Sequence, residues 1–194
     1  MNSIFITGTS TVGKTYLSKK LSAALGIPRV STDFMRIEML KDPLLEPWVN
    51  MSPKTDEEEY FRTTTCDDQW QRKVNKSEAF WPTIKKHIET ALQTKTATIF
   101  EGVNLLPHLM DQLDIRGVVL FSTSEEEIFE RLKLNPRWGT TEALMRKEAH
   151  AYFTCEGRRF VEEAEQFDIP TYSDMTVAEQ ELRRLILLQV QYLS

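Results

Sequence analysis

The sequence pattern with the clearest chemistry lies near the amino terminus, where residues 5–15 read FITGTSTVGKT. Gly8, Gly13, Lys14 and Thr15 fit the pattern G-x-x-x-x-G-K-[ST], which is typical of loops that bind nucleotide phosphates. Glycines let the backbone N–H groups of such a loop turn inward, the lysine adds a full positive charge, and the hydroxyl can bind Mg²⁺. The spacing predicts a phosphate-binding loop with Thr15 as a Mg²⁺ ligand. An ordinary strand, turn and helix with accidental glycines is the alternative.

The segments on either side of this loop are those that phosphate binding requires. The run SIFIT at residues 3–7 ends at Gly8 as a buried strand would. Leucines then recur at every fourth position over residues 17–25, and Gly26 stands where a helix commonly ends. The loop is therefore expected between a strand and the positive end of a helix dipole, which favours phosphate.

A second polar stretch, STDFMR at residues 31–36, follows the next predicted strand. It should lie beside the loop, at the carboxyl edge of the sheet, where ligands bind in such folds. Asp33 could accept a proton from an attacking hydroxyl or hold a metal-bound water. Arg36 should share a helix face with Asp33 and could bind an anionic substrate through two hydrogen bonds. The alternative is that Asp33 caps the helix and Arg36 is solvated.

The third polar position comes at the end of the run TATIF, residues 96–100, where Glu101 and Gly102 follow. Gly102 would let a ligand approach the backbone closely. Glu101 could orient substrate, water or Mg²⁺. A polar strand end without a ligand is the alternative.

A basic segment stands out because the chain has a net charge of −5. Phosphoryl transfer needs cations around the transferred group, and a mobile lid can supply them and exclude water. Arg137 lies in the turn sequence NPRWG, and Arg131 lies on the helix that leads into it. A solvated charged face with ion pairs four residues apart is the alternative. The cations of the segment are Arg131, Lys133, Arg137, Arg146, Lys147, Arg158 and Arg159.

Five short apolar runs alternate with helical patterns along the chain. This alternation predicts a three-layer α/β/α fold with a mostly parallel five-stranded sheet and helices on both faces. We expect one domain over residues 1–194, with a small helical acceptor-binding insert at about 38–75 and a lid at about 133–158. Residues 41–75 are polar and irregular, carry mainly acidic charge and contain no acceptor motif.

Local signals predict several helix ends. Boxes of the type S/T-x-x-E at residues 55–58, 124–127 and 176–179 should each begin a helix. Pro82 fits the first turn of a helix that runs to about Thr94 better than its middle.

Composition narrows the kinds of binding partner and the cellular compartment that we expect. The acidic net charge argues against nonspecific nucleic-acid binding, and apolar runs such as GVVLF are too short to span a membrane. Cys66 and Cys155 have no motif spacing that pairs them, which predicts a reduced, cytoplasmic protein. The pattern does not distinguish a monomer from a homodimer.

With these motifs the chain resembles the small-molecule kinases of the P-loop superfamily, the group of shikimate, gluconate and adenylate kinases. It is most similar to the 2-phosphoglycerate-kinase-like branch, whose motif S-T-D-x-x-R matches residues 31–36 and whose motif E-G-V-H-L-x-P is similar to EGVNLLP at residues 101–107. Asn104 stands where that branch has histidine, so the acceptor can differ. The resemblance implies that ATP binds to Gly8, Thr9, Ser10, Thr11, Val12, Gly13, Lys14 and Thr15.

The sequence thus predicts an ATP- and Mg²⁺-dependent kinase that acts on a small hydroxylated or phosphorylated metabolite. Lys14, Asp33 and Arg137 are the predicted catalytic residues, and Arg131 is expected to meet the nucleotide. The predicted acceptor-binding residues are Asp33, Arg36, Glu101, Gly102 and Asn104. A nucleoside or nucleotide kinase of the same fold and a non-enzymatic NTP-binding module are the alternatives.

Overall fold

The computed structural model describes residues 1–50 and 57–187 of the chain. Five strands form one sheet in the order β2-β3-β1-β4-β5, and every neighbouring pair is parallel. The prediction of a parallel sheet with helices on both faces is confirmed. The strands are β1 (Ile4–Gly8), β2 (Arg29–Ser31), β3 (Ile99–Glu101), β4 (Arg116–Leu120) and β5 (Thr171–Tyr172).

Helices connect the strands and cover both faces of the sheet. The first five are α1 (Lys14–Leu25), α2 (Thr32–Met39), α3 (Glu46–Asn50), α4 (Glu57–Thr63) and α5 (Cys66–Gln93). They are followed by α6 (Pro107–Met110), α7 (Glu125–Leu134), α8 (Glu142–His150), the π-helix (Ala151–Gly157), α9 (Arg158–Gln166) and α10 (Met175–Leu187).

The core divides at the central strand because successive side chains of a strand point to opposite faces. Ile4 and Ile6 pack with Leu17 and Leu21 of α1 and with the apolar side of α10. Phe5 points the other way, into a second cluster with α5, α6 and α9. A smaller cluster joins α7, α8 and the π-helix.

The long helix α5 differs from the prediction. Pro82 lies inside it, so the assignment of this proline to a first turn is wrong. The capping box that begins the helix is Thr65–Asp68, in which each side chain binds the other residue's backbone N–H. Burial of Phe80, Ile84 and other apolar side chains continues past the proline, and this packing offsets the hydrogen bond that proline lacks. Residue 55 of the predicted box lies outside the described residues.

The other two predicted caps have different outcomes. Ser124 caps α7, since its Oγ accepts from the backbone N–H of Glu127 at 3.2 Å. Thr176 does not cap α10, because it lies inside the first turn. Asp174 does so instead, with its carboxylate accepting from the backbone N–H groups of Thr176 at 2.7 Å and Val177 at 3.1 Å.

Helices also cross the expected segment boundaries. Residue 75, the predicted end of the insert, lies in the middle of α5. The segment from Glu142 to Gln166 is continuously helical, with the π-helix between α8 and α9, so the basic segment is irregular only at residues 135–141.

The prediction that the two cysteines are unpaired is wrong. Cys66 at the start of α5 and Cys155 in the π-helix form a disulfide, with their Cα atoms 4.6 Å apart. They are 89 positions apart in sequence, and only the packing of α5 against the π-helix brings them together. Among the described residues, no helix combines the length and apolar character needed to cross a membrane.

Candidate active site

The predicted phosphate loop leaves β1 at Gly8 and enters α1 at Lys14, as expected. Both glycines have positive φ angles, 126° for Gly8 and 96° for Gly13. A Cβ at residue 8 would lie 2.0 Å from the carbonyl oxygen of Leu120, and one at residue 13 would lie 2.3 Å from the Cε of Met175. At Gly8 both the conformation and the neighbouring backbone exclude a side chain. At Gly13 the positive φ disfavours one, whereas the flexible end of Met175 can move aside.

Lys14 is buried in the loop, with 7% of its surface exposed, and its ammonium donates to the carbonyl oxygen of Thr9. Burial lowers the pKa of Lys14 to about 7, and the carboxylates of Glu101 and Asp33 oppose this shift. A phosphate in the loop would favour the charged form of the lysine.

Thr15 begins a chain of polar contacts at the base of the loop. Its hydroxyl lies 3.3 and 3.4 Å from the two carboxylate oxygens of Glu101, and Arg29 donates to one of these oxygens at 2.7 Å. Glu101 is 1% exposed. A hydroxyl and a carboxylate are hard oxygen donors of the kind Mg²⁺ prefers alongside phosphate oxygens. Thr15 and Glu101 therefore fit a Mg²⁺ ion, and they would hold it.

Asp33 and Arg36 lie one turn apart on α2 and line the same cavity, as the spacing predicted. Asp33 is in the first turn and Ser31 is at the cap position, so the interpretation of Asp33 as the cap is wrong. Arg36 donates to the carbonyl oxygen of Val49 at 2.7 Å. The cavity has a volume of about 400 Å³ and is lined by Asp33, Arg36, Ile37, Leu40, Val49, Asn50 and Trp138.

Three other predicted acceptor-binding residues are not among the described residues that line this cavity. Glu101 faces Thr15 instead. Gly102 lies against α2, where a Cβ would be 1.8 Å from the Thr32 hydroxyl. Asn104 is buried and accepts from the Ser77 hydroxyl of α5 at 3.2 Å. Their contact with an acceptor stays a prediction. In the structure Glu101 links β3 to α1 and β2, Gly102 packs against α2, and Asn104 bonds to α5.

The cations of the basic segment separate into those beside the phosphate loop and those on the surface. Arg131 donates to the carbonyl oxygen of Thr11 at 2.8 Å, and Arg137 lies near enough to Lys14 to lower the pKa of its ammonium. Arg131 also pairs with Glu127, and Arg146 pairs with Glu126 and Glu142 on the surface, as the alternative interpretation expected. The structure therefore places Arg131 and Arg137 beside the loop.

Sequence reasoning missed the basic turn of α5, formed by Arg72, Lys73 and Lys76. The Lys73 ammonium lies 3.1 Å from a carboxylate oxygen of Glu156, and the same oxygen accepts from the Thr9 hydroxyl at 3.1 Å. Burial, followed by the charges of Arg36 and Lys73, lowers the pKa of Lys76 to about 8. The signal was present in QRKVNK at residues 71–76, but it carries meaning only once the segment is known to be helical.

A glycine loop between β1 and α1, a buried loop lysine and a paired hydroxyl and carboxylate define a P-loop nucleotide-binding protein with the P-loop NTPase fold. The chain belongs to the AAA domain family, whose model matches residues 4–148. No curated protein matches the sequence.

Among solved structures, an uncharacterized protein from Eubacterium ventriosum ATCC 27560 is 15% identical with a TM-score of 0.52, covering 95% of this chain and 97% of its own. This similarity supports the fold. A shikimate kinase from Acinetobacter baumannii is 16% identical with a TM-score of 0.47, covering 100% of this chain and 96% of its own. A gluconokinase from Sinorhizobium meliloti 1021 is 15% identical with a TM-score of 0.46, covering 98% of this chain and 97% of its own.

Membership of the P-loop superfamily that includes the small-molecule kinases is confirmed by the family match and the fold. The similarity to the 2-phosphoglycerate-kinase-like branch stays a prediction.

Proposed function

We propose that the protein is an ATP- and Mg²⁺-dependent kinase that phosphorylates a small hydroxylated or phosphorylated acceptor. The position of Asp33 carries the proposal. Its side chain lines the cavity of about 400 Å³, and its carboxylate also acts on the buried ammonium of Lys14. Asp33 therefore lies between a cavity that suits a small molecule and Lys14, the lysine expected to contact the nucleotide phosphates.

The chemistry follows from this placement. An acceptor hydroxyl in the cavity gives its proton to the Asp33 carboxylate as its oxygen bonds to the γ-phosphorus. The bond from that phosphorus to the bridging oxygen breaks, and ADP leaves. Lys14 and Arg137 stabilise the charge that spreads over the phosphoryl oxygens, while Arg131 holds the loop through Thr11. Mg²⁺ held by Thr15 and Glu101 would supply further charge neutralisation.

Two variants test this proposal. Replacing Lys14 with alanine should weaken ATP binding by about tenfold to a hundredfold, since a charge-assisted contact is lost. Asp33→Asn should lower phosphoryl transfer by roughly 10²- to 10⁴-fold and leave ATP affinity within about twofold. Asp114→Asn, at an exposed position before β4, is the matched control.

The measurements are calorimetric titration with ATP and a coupled ATP-consumption assay over sugar acids, phosphoglycerates, nucleosides and nucleoside monophosphates. Unchanged ATP affinity in the alanine variant would refute nucleotide binding at the loop. Full turnover in the asparagine variant would refute Asp33 as the base. ATP binding without turnover of any acceptor would favour the non-enzymatic NTP-binding module.

Compartment and assembly stay predictions. The cytoplasmic setting can no longer be argued from unpaired cysteines, because Cys66 and Cys155 are bonded. A monomer and a homodimer both remain compatible with the described fold.

A further inference from the structure

Thr9 of the phosphate loop is held at its side chain and at its backbone by different groups. Its hydroxyl donates to a carboxylate oxygen of Glu156 at 3.1 Å, and its carbonyl oxygen accepts from the Lys14 ammonium. Thr9 is 1% exposed, so water has little access to its hydroxyl. The contact with Glu156 is therefore a buried link between the loop and the π-helix.

The residues on either side of Glu156 fix its place in the π-helix. Cys155 is joined covalently to the start of α5. A Cβ at Gly157 would lie 2.9 Å from the carbonyl oxygen of Tyr152 and 3.9 Å from the Cγ2 of Thr9. The π-helix thus approaches the loop closely on the side that carries Glu156. π-Helical turns are rare and often occur at functional sites.

The Glu156 carboxylate is also fixed by an ion pair. The oxygen that accepts from Thr9 lies 3.1 Å from the Lys73 ammonium of α5, and both side chains of the pair are largely buried. Lys73 and Cys66 lie on one face of α5, about two turns apart. The helix α5 therefore holds the π-helix at two points, one covalent and one ionic.

A loop held in this way has an advantage in binding phosphate. The backbone N–H groups can surround a phosphate only in one arrangement of the loop, and apparent affinity falls in proportion to the fraction of molecules in that arrangement. A contact that limits the other arrangements before the nucleotide arrives raises affinity without touching the nucleotide. The hydrogen bond from Thr9 to Glu156 is such a contact.

We propose that Glu156 is a positioning residue for nucleotide binding, whose carboxylate holds Thr9 and thereby keeps the phosphate loop in its binding conformation. The inference rests on the proposed function, in which the loop binds ATP. It adds a determinant of ATP affinity that lies in the π-helix, far from the loop in sequence. ATP and ADP should be affected alike, because both place phosphates in the loop.

A matched pair of double variants separates this role from that of the ion pair. Glu156→Gln/Lys73→Met and Glu156→Met/Lys73→Met both remove the two charges, but the glutamine keeps an oxygen that can accept from Thr9. The variant with methionine at residue 156 should bind ATP and ADP about threefold to tenfold more weakly than the variant with glutamine, because one hydrogen bond is lost. Calorimetric titration measures both affinities at a temperature at which melting curves show each protein to be folded.

Substitutions of Thr9 test the other end of the contact. Thr9→Val removes the hydroxyl and should weaken ATP binding to a similar extent, whereas Thr9→Ser keeps the hydroxyl and should retain most of the affinity. Thr9→Val added to Glu156→Met/Lys73→Met should weaken binding further by less than about twofold, since the contact is already absent. Glu165→Gln, at an exposed position of α9, is the control and should change nothing.

Three outcomes would overturn the inference: equal ATP affinity in the two double variants, unchanged affinity in Thr9→Val, or a full additional loss when Thr9→Val is combined with the methionine variant. Each would leave the kinase proposal intact, because the wild type would still bind ATP at the loop. A wild type that binds no ATP would refute the proposed function and this inference together.

Discussion

Lys76 makes a residue-scale prediction because its pKa of about 8 lies within the range of an ordinary assay. Above that pH the ammonium loses its charge, so the positive potential that it adds at Asp33 and Arg36, which line the cavity, weakens as pH rises. Arginine at the same position stays charged. The kcat/KM for an anionic acceptor should therefore fall several-fold from pH 7 to pH 9 in the wild type and change less than about twofold in Lys76→Arg.

Among the described residues, the charged groups with the largest effect on Lys76 include Arg36 and Asp33 from α2 and Arg72 and Lys73 from α5. The KM for ATP measured over the same pH range is the internal control. Identical pH profiles in the two proteins would show that another group causes the decline.

At the residue scale, the sequence pattern predicted which residues form the phosphate loop. The roles of the loop residues follow from local geometry, and adjacent residues encode that geometry. These residues are Gly8, Gly13, Lys14 and Thr15. Lys76 and Trp138 could not be assigned in the same way. Their role depends on which helices pack together, and no spacing along the chain records that.

At the scale of elements, Glu156 ties three segments together. One carboxylate oxygen of this π-helix residue accepts from Thr9 of the phosphate loop and pairs with Lys73 of α5. Both side chains of the ion pair are largely buried, with 15% and 11% exposed. Removing one partner of such a pair leaves a charge with little solvation.

We therefore expect Glu156→Gln to lower the free energy of unfolding by roughly 2–4 kcal/mol. Combining it with Lys73→Met should recover part of the loss, because the double variant removes both charges of the pair. Glu130→Gln breaks an exposed pair with Lys133 and should cost less than about 1 kcal/mol. Urea denaturation measures the wild type, these three variants and the single variant Lys73→Met. A double variant that loses the full sum of the single losses would show that the pair has no coupling.

A second contact between elements predicts a pH effect on stability. His108 of α6 hydrogen-bonds to Glu163 of α9, and this bond raises the pKa of the imidazole above its ordinary value of 6.5. Glu78 of α5 lies on the other side of the ring, 3.8 Å from its Nε2.

A group whose pKa is raised by folding stabilises the protein fully below its unfolded pKa and loses this effect as pH rises through the folded pKa. The His108 contribution should therefore decline as pH increases above about 6.5, so the wild type should lose stability relative to Glu163→Gln, which shares its other titrating groups. His87→Gln, which changes an exposed histidine next to Glu38, is the control. Melting temperatures from pH 5.5 to pH 8.5 provide the measurement, and an unaltered slope in Glu163→Gln would contradict the assignment.

The elements that were predicted well are those whose signals are local. The apolar run that makes β1 and the leucine period of α1 both reflect the nearest neighbours in the chain. The start of α5 was missed because its capping box ends in Asp68, and the predicted box was the upstream one that includes Thr55. The cysteines were missed for a different reason, since no local signal relates two residues that only the packing of α5 against the π-helix brings together.

The disulfide acts at the scale of the whole molecule because it closes 89 positions of the chain. A cross-link of this span restricts the unfolded chain, and the chain-entropy relation gives about 4–5 kcal/mol of stabilisation at 25 °C. It joins the start of α5 to the π-helix that contacts the phosphate loop through Glu156. Reduction should therefore loosen the packing of α5 against the π-helix as well as lower stability.

The wild type under oxidising conditions should unfold at a higher urea concentration than the same protein with reductant, and the variant Cys66→Ser/Cys155→Ser should match the reduced protein in both conditions. Cys66→Ala/Cys155→Ala keeps an apolar side chain at the buried Cys155 position and controls for the new hydroxyl. Mass spectrometry after alkylation counts the thiols. If the oxidised wild type and the double variants unfold at the same urea concentration, the cross-link contributes no stability. Two alkylated thiols in the untreated protein would show that the cysteines are not bonded.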